Sequence, residues 1–205
     1  MTAEPTAADR AYCRLKSGIL RGELARVPLD IKKLGDRLRM SATPVREALH
    51  RLSAERLVRH TAHGYAIVRL SGPRLDHLFE ISDALSHFCI ESARRAEWQS
   101  APIAAYAHHA GYADGLTALL ADLAAHQNNV ELITYITSVG DRLFAARRME
   151  TKVFPEADTE FERLRGLWNA RDFDELVQAL RDYHATRRER ADALARCLAE
   201  EAGET

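Results

Sequence analysis

The chain has 205 residues, 46% of them hydrophobic, and a formal net charge of −1, enough apolar material for one large domain or two small ones. It has no run of about 18 apolar residues, and its start, "MTAEPTAADR", lacks the charged-then-apolar order of a secretory signal, so we expect a folded cytoplasmic protein with no membrane partner. Cys13, Cys89 and Cys197 are odd in number, far apart and without a CxxC pair, which argues against a disulfide framework or a thiolate zinc site and for buried free thiols.

The small net charge conceals a division. Residues 1–73 hold 14 Lys and Arg against 7 Asp and Glu, while residues 74–205 hold 15 against 23. A basic front and an acidic back read as a polyanion-binding module joined to something else. The sign changes at "RLSGPRL", where Ser71, Gly72 and Pro73 punctuate the chain, so the expected domains are 1–73 and 74–205.

In chain order, "AADRAYCRLKSGILRG" predicts a helix with Tyr12, Leu15 and Ile19 on one stripe, ending at Gly22. Asp30 is placed to cap a short second helix whose Ile31, Leu34 and Leu38 share a face, leaving Lys32, Lys33, Arg37 and Arg39 on the remaining surface. A tight connection, Met40 to Ala42, leads to "SATPVREAL". There Thr43 is the expected N-cap and Pro44 the first helical residue, where its missing N–H costs nothing. Val45, Ala48, Leu49 and Leu52 follow the i, i+3, i+4, i+7 pattern of a buried face, with Arg46 and His50 pointing the other way. Two β-rich runs follow, Leu57 to Thr61 and Tyr65 to Leu70, joined by Ala62, His63 and Gly64. Helix, short helix, turn, helix and hairpin make a winged helix-turn-helix, in which the N-terminal residues of the second helix of the turn meet the bases. A firmly capped N-terminus would then aim Arg46 at guanine edges or phosphate oxygens.

Residues 75–200 read as all helix. Leu78, Ile81, Leu85 and Phe88 form one stripe, Leu116, Leu119, Leu120 and Leu123 a second, and Leu132, Ile136, Val139 and Leu143 a third. A fourth holds Phe161, Leu164 and Trp168. A last and longest helix opens with Asp172 and Glu175 as a capping box and carries Phe173, Leu176, Val177, Leu180 and His184. Five or six such helices with short connections make a bundle. The expected fold is mainly α: a winged helix-turn-helix followed by an all-α bundle. His108 and His109 diverge by about 100° on a helix and cannot easily share a metal; with His77, His87 and His126 they read as surface or gap-filling residues. Without a nucleophile elbow, a glycine-rich phosphate loop or HExxH, an enzyme is disfavoured. An architectural DNA-binding protein without a sensor is the alternative to a regulator.

The stretch "ILRGELARVPLDIKKLGDRLRMSATPVREALHRLSAERLVRHTAHGYAIV" resembles the DNA-binding domain of GntR-type bacterial transcription regulators, over about residues 10–70. The resemblance implies that Lys32 is a DNA-contacting basic residue, Arg46 the principal arginine, and His63 with Gly64 the wing tip. With the outward residues of both helices, the expected DNA surface comprises Lys32, Lys33, Arg37, Ser41, Thr43, Arg46, His50, His63 and Gly64. Three departures stand out: Ala42 occupies the place of a second DNA-reading arginine, "ARVP" replaces a Pro-Gly turn, and Arg56 replaces a glycine before the wing. The first implies an operator unlike the family's common one.

The remainder resembles the helical effector-binding domain of the fatty-acid-regulator branch of that family, through helix order, the asparagine turn at Asn128 and Asn129, and the end "FDELVQALRDYHATRRERADAL". That resemblance implies a bundle that binds a small carboxylic acid, often through a metal, and forms the dimer. Counting from Asn129 and Asp172 puts Leu116, Leu120, Phe161 and His184 at the branch's four ligand positions. One imidazole cannot hold a divalent ion that needs three or four donors, so no metal or other cofactor is expected. A rival alignment takes Asp122 and His126 as the first pair. The expected effector pocket contains Leu120, Phe161 and His184, with His184 either a satisfied core residue or a hydrogen-bond donor to a more apolar effector. The expected function is a ligand-responsive repressor that binds an inverted repeat in double-stranded DNA as a homodimer.

Overall fold

In the computed structural model, which describes residues 4–24, 28–95, 111–125 and 129–203, helix α1 (Ala7–Leu20) opens with a reciprocal cap. Thr6 Oγ1 accepts the N–H of Asp9, and the Asp9 carboxylate accepts the N–H and hydroxyl of Thr6. Arg51 of the third helix donates to the other Asp9 oxygen at 2.7 Å. These bonds, that of the Thr6 hydroxyl foremost, hold Asp9 down at about 2. A carboxyl depressed on folding stabilises the fold at neutral pH, and that contribution fades as pH falls from about 4 towards 2. Asp9→Asn should therefore remove part of the acid sensitivity of the N-terminal region, seen as a flatter dependence of its urea midpoint on pH between those values; an unchanged slope would refute the assignment.

The chain divides into two compact units, Met1–Arg69 and Leu70–Thr205. In the first, Asp30 caps α2 (Ile31–Leu38) as expected, accepting the N–H groups of Lys32 and Lys33. The helix ends in a left-handed residue, Arg39 at φ 55, with Met40 N–H returning to the Gly35 carbonyl, which is a Schellman stop. A Cβ on Gly35 would lie 2.8 Å from the Met40 oxygen, so this turn requires glycine there. Helix α3 (Ala42–Ala54) starts one residue after Ser41. The expected cap at Thr43 is thus corrected to Ser41, and Pro44 becomes the third helical residue. Its missing N–H still costs nothing, because the first-turn N–H groups lack intrahelical partners.

After α3, Arg56 adopts φ 60 and Leu57 N–H reaches back to Leu52 O, a second Schellman stop made without glycine. A left-handed conformation costs an L-residue roughly 1–2 kcal/mol, and glycine loses about half of that gain through its freer unfolded chain. Arg56→Gly should stabilise this unit by about 0.5–1 kcal/mol in urea denaturation, and a loss of stability would contradict that reading.

Strands β1 (Val58–Thr61) and β2 (Gly64–Ile67) pair antiparallel from Val58↔Ile67 to Thr61↔Gly64, and Leu29 bridges to Tyr65. The strands are shorter than expected, and Gly64 opens β2 rather than belonging to the loop. The unit's core joins Leu15, Leu34, Val45, Leu49, Leu52 and Val58. Cys13 is exposed, against expectation; Cys89 is buried, which pushes its thiol up to about 12.

The second unit contains α4 (Gly72–Arg95), α5 (Tyr112–Ala125), α6 (Val130–Val153), α7 (Ala157–Ala170), α8 (Phe173–Glu189) and α9 (Ala191–Glu201). The boundary anticipated after residue 73 falls inside the first turn of α4, where Pro73 needs no N–H partner. Helix α4 packs on α5, α6, α8 and α9. Its buried face is rotated from the expected stripe: Leu75, Leu78, Phe79, Ser82, Ser86, Cys89 and Ile90 are buried, while Ile81 and Phe88 are 50% and 54% exposed. Two serines at core positions hid the true register from a search for apolar letters. The Leu116 to Leu123 and Leu132 to Leu143 stripes are buried throughout. Asn129 caps α6 through Leu132 N–H; Asn128 lies outside the described residues. Asp172 caps α8 through Glu175 N–H, while the Glu175 carboxylate meets Arg163 instead of closing a box. The helix from Asp172, expected to be the last and the longest, is neither: it has 17 residues against 24 in α4 and in α6, ends at Arg190, and is followed by α9, which packs onto α4 and α6.

Candidate functional site

Ser41, Thr43, Arg46 and His50 are all exposed on α3, whose Val45, Ala48, Leu49 and Leu52 are buried in the core. Ser41 makes no side-chain cap bond, so the first-turn N–H groups stay open to an approaching anion, at the positive end of the helix dipole. Lys32, Lys33 and Arg37 are exposed on α2. Among the described residues, none of these three cations, nor Arg46, forms an ion pair. Basic residues between α1 and α3 are used differently. Arg51 pairs with Asp9 and lies 4.1 Å over the Tyr12 ring. Lys16 meets Glu55 at 2.9 Å, and the Tyr12 hydroxyl donates to the same carboxylate. One side of α3 is thus braced on α1 while Arg46 is left uncommitted.

The hairpin presents His63 at a two-residue tip, exposed beside Ala62. Thr61 Oγ1 accepts His63 N–H at 3.3 Å and donates to the Gly64 carbonyl at 3.1 Å. Gly64, at φ +110, holds a conformation that a side chain would strain. Ala42, exposed in the first turn of α3, brings no side-chain donor.

The helical unit holds a cavity of about 40 Å³ between α4, α5 and α6, lined among others by Ser82, Ser86, Thr117, Leu120 and Arg147. Of the expected effector residues, Leu120 lines it. His184 stands behind Ser82: its Nδ1 lies 2.7 Å from the Leu180 carbonyl, leaving Nε2 to accept the Ser82 hydroxyl at 3.0 Å. It is a satisfied core histidine. Asp83 lies 3.4 Å from Nδ1, and the bond to His184 is the foremost cause that lowers its carboxyl. Phe161 is elsewhere, edge-on to Tyr112 at 6.0 Å and tight against Gly115. The structure brings Leu120 and His184 near one cavity and leaves Phe161 out.

Sequence reasoning missed the buried charges of this unit. Glu150, wholly buried, accepts from Tyr112, from Tyr183 at 3.0 Å and from Arg187 Nε at 3.0 Å. Arg187, equally buried, also meets Glu160 and lies over the Phe154 and Tyr183 rings. Burial, the largest cause, raises both tyrosine hydroxyls above their ordinary range. A signal was present. The Leu132, Ile136, Val139, Leu143 spacing continues to Arg147 and Glu150, and the α8 stripe continues from His184 to Arg187.

These residues do not fit the metal of the resembling branch. Leu116 and Leu120 are core side chains, Phe161 offers no donor, and both His184 nitrogens are engaged. In the rival alignment, Asp122 accepts from the Trp168 indole at 3.1 Å, and His126 lies outside the described residues, as do His108 and His109. His77 is exposed, and His87 sits 3.5 Å from Arg181.

Residues 7–64 match the family described as bacterial regulatory proteins, gntR family. No curated protein matches the chain. Among solved structures, a transcriptional regulator GntR from Rhodococcus sp. RHA1 superposes with TM-score 0.73 at 16% identity, over 90% of this chain and 96% of its own. E. coli McbR/YncC does so with TM-score 0.68 at 17% identity, over 91% and 97%. Lar, which controls the expression of the Listeria monocytogenes agr system, reaches 0.56 at 14% identity, over 93% and 98%. Among the described residues no helix is long and apolar enough to cross a membrane. With the gntR match on the unit that bears Arg46 and the hairpin, residues 7–64 carry a gntR-family DNA-binding winged helix-turn-helix, and the chain as a whole shares the fold of these solved structures, with a helical C-terminal domain.

Proposed function

We propose that the protein is an effector-responsive repressor that acts in the cytoplasm and binds a short inverted repeat as a homodimer. The carrying observation is the N-terminus of α3, which offers unpaired Arg46 with exposed Ser41, Thr43 and His50. Lys32, Lys33 and Arg37 supply phosphate contacts from α2, and His63 on Gly64 supplies the wing contact. The domains 1–73 and 74–205 divide the work between DNA and effector. One winged helix covers a half-site, and a two-fold dimer matches a palindrome with half-sites about one helical turn apart or closer. Ala42 leaves one base position without a side-chain donor, so the preferred operator departs from the family's common one.

The test is titration of a labelled upstream intergenic fragment against unrelated DNA, with and without candidate metabolites, beside light scattering. Specific binding by a dimer, released by a small molecule, supports the proposal. Binding without sequence preference favours an architectural protein, and a monomer that occupies the operator as one copy overturns the dimer.

A further inference from the structure

We infer that the polar cluster joining α1 to the last turn of α3, built on Tyr12, Arg51 and Glu55, is a specificity device: it fixes the angle at which α3 carries Arg46 to DNA, a role that presupposes the reading of Arg46 as a base contact.

The cluster holds α3 at two points one turn apart. Arg51, in the last turn, donates from Nη1 to Asp9 at 2.7 Å, and its guanidinium lies 4.1 Å over the Tyr12 ring. Glu55, the C-cap, accepts the Tyr12 hydroxyl at 2.6 Å and meets Lys16 at 2.9 Å, and Lys16 also donates to the Tyr12 hydroxyl at 3.0 Å. Asp9, Tyr12 and Lys16 follow one another on α1 at spacings of three and four, so they share a face. Thr6 in turn fixes the Asp9 carboxylate from the helix start.

Stability does not account for so many contacts. The Arg51 and Asp9 side chains are 48% and 43% exposed, and a pair this open to water adds little to folding. Direction is what the cluster supplies. Val45, Ala48, Leu49 and Leu52 hold α3 by burial, which is not directional, whereas a hydrogen bond weakens steeply as its angle opens. A turn of α3 about its own axis is therefore felt first by the cluster.

Magnitudes decide which DNA contacts depend on that angle. An arginine guanidinium reaches roughly 9 Å from the axis of its helix, so a rotation of about 10° carries it about 1.5 Å. Two parallel hydrogen bonds to a guanine edge tolerate only a few tenths of an ångström and are lost. A phosphate contact survives, because attraction between charges extends over a screening length of about 8 Å. Arg46 stands five residues before Arg51, about 7.5 Å along the helix, at the end of α3 remote from the cluster. The bracing can steer the arginine without touching DNA.

The experiment enriches a duplex from a random-sequence pool with the full-length parent, then measures by anisotropy how parent and variants bind that duplex and a scrambled one. Arg51→Met should weaken the selected duplex by about tenfold, the order expected when a bidentate base contact is lost, and leave scrambled DNA as before, since Asp9 already neutralises this arginine. Tyr12→Phe, which keeps the ring and deletes the hydroxyl, should show a smaller loss of the same kind, and Arg51→Lys, which keeps the ion pair, should recover most of the preference. Repeating Arg51→Met on Arg46→Ala gives the deciding readout: a cluster that acts through Arg46 has nothing left to steer, so neither affinity should change. Weakening of both duplexes in both backgrounds would mark a merely structural cluster and overturns the role. A parent that enriches no sequence refutes base reading and the cluster's role with it, whereas a parent with a preference that Arg51→Met and Tyr12→Phe both keep refutes the cluster alone.

Discussion

Replacing Glu150 with alanine is expected to lower the unfolding free energy of the helical unit by about 3–5 kcal/mol, the range for breaking a buried ion pair by removing one partner. The carboxylate is wholly buried and accepts three donors. Its loss leaves Arg187 with one carboxylate, Glu160, whose side chain is 35% exposed. It also strands the hydroxyls of Tyr112 and Tyr183, and a buried donor without an acceptor costs about 1–3 kcal/mol. Glu150→Gln keeps the shape and one acceptor and should cost less. The double variant Glu150→Met, Arg187→Met removes both charges together and should cost clearly less than the sum of the single changes, as groups in contact do. Urea denaturation of the three variants checks this. Strict additivity, or a loss under about 1 kcal/mol for Glu150→Ala, would mean that the network contributes little beyond its volume.

Arg46→Ala is expected to weaken binding to the specific operator by on the order of 1–3 kcal/mol and to relax preference at one position per half-site, because a bidentate arginine discriminates between bases by that amount. Lys32→Ala should act otherwise, weakening all DNA alike and flattening the salt dependence by about one counterion. Arg46 is exposed and has no intramolecular partner to replace among the described residues, so the substitution leaves α3 intact. Anisotropy titrations at several salt concentrations separate the two behaviours. Equal, sequence-independent losses for both variants would refute the division between reading bases and holding phosphate.

The DNA-binding unit was legible because its signals are local. Asp30 before an amphipathic turn, the i, i+3, i+4, i+7 run from Val45 to Leu52 and the β-branched residues around Gly64 each act within a few residues. What failed there was fine: Thr43 and Ser41 are both residue types that open helices, and the helix begins at Ala42, after a Ser41 whose side chain makes no cap bond. The bundle hid more. Ser82 and Ser86 are buried with their hydroxyls bonded to His184 and to the Ser82 carbonyl, and nothing near them in sequence announces it. Glu150 and Arg187 are 37 positions apart, and each reads alone as a solvated charge; it is their meeting that makes burial tolerable. The expected pocket used positions borrowed from a metal-binding relative, and the structure instead lines the cavity with Arg147, which sits on the continuation of an apolar stripe.

Trp168 is buried at 2% exposure with its indole N–H on Asp122, and the chain's other tryptophan, Trp98, lies outside the described residues. Residues 1–69 have none, so emission excited at the red edge of the absorption band carries no signal from the DNA-binding unit, and its change on exposure of Trp168 reports on the helical bundle. Far-ultraviolet circular dichroism sees the helices of both units. The two signals recorded on one denaturant series therefore act as independent gauges: superposed curves mean that the units melt as one cooperative block, and separated curves give each its own midpoint without cutting the chain.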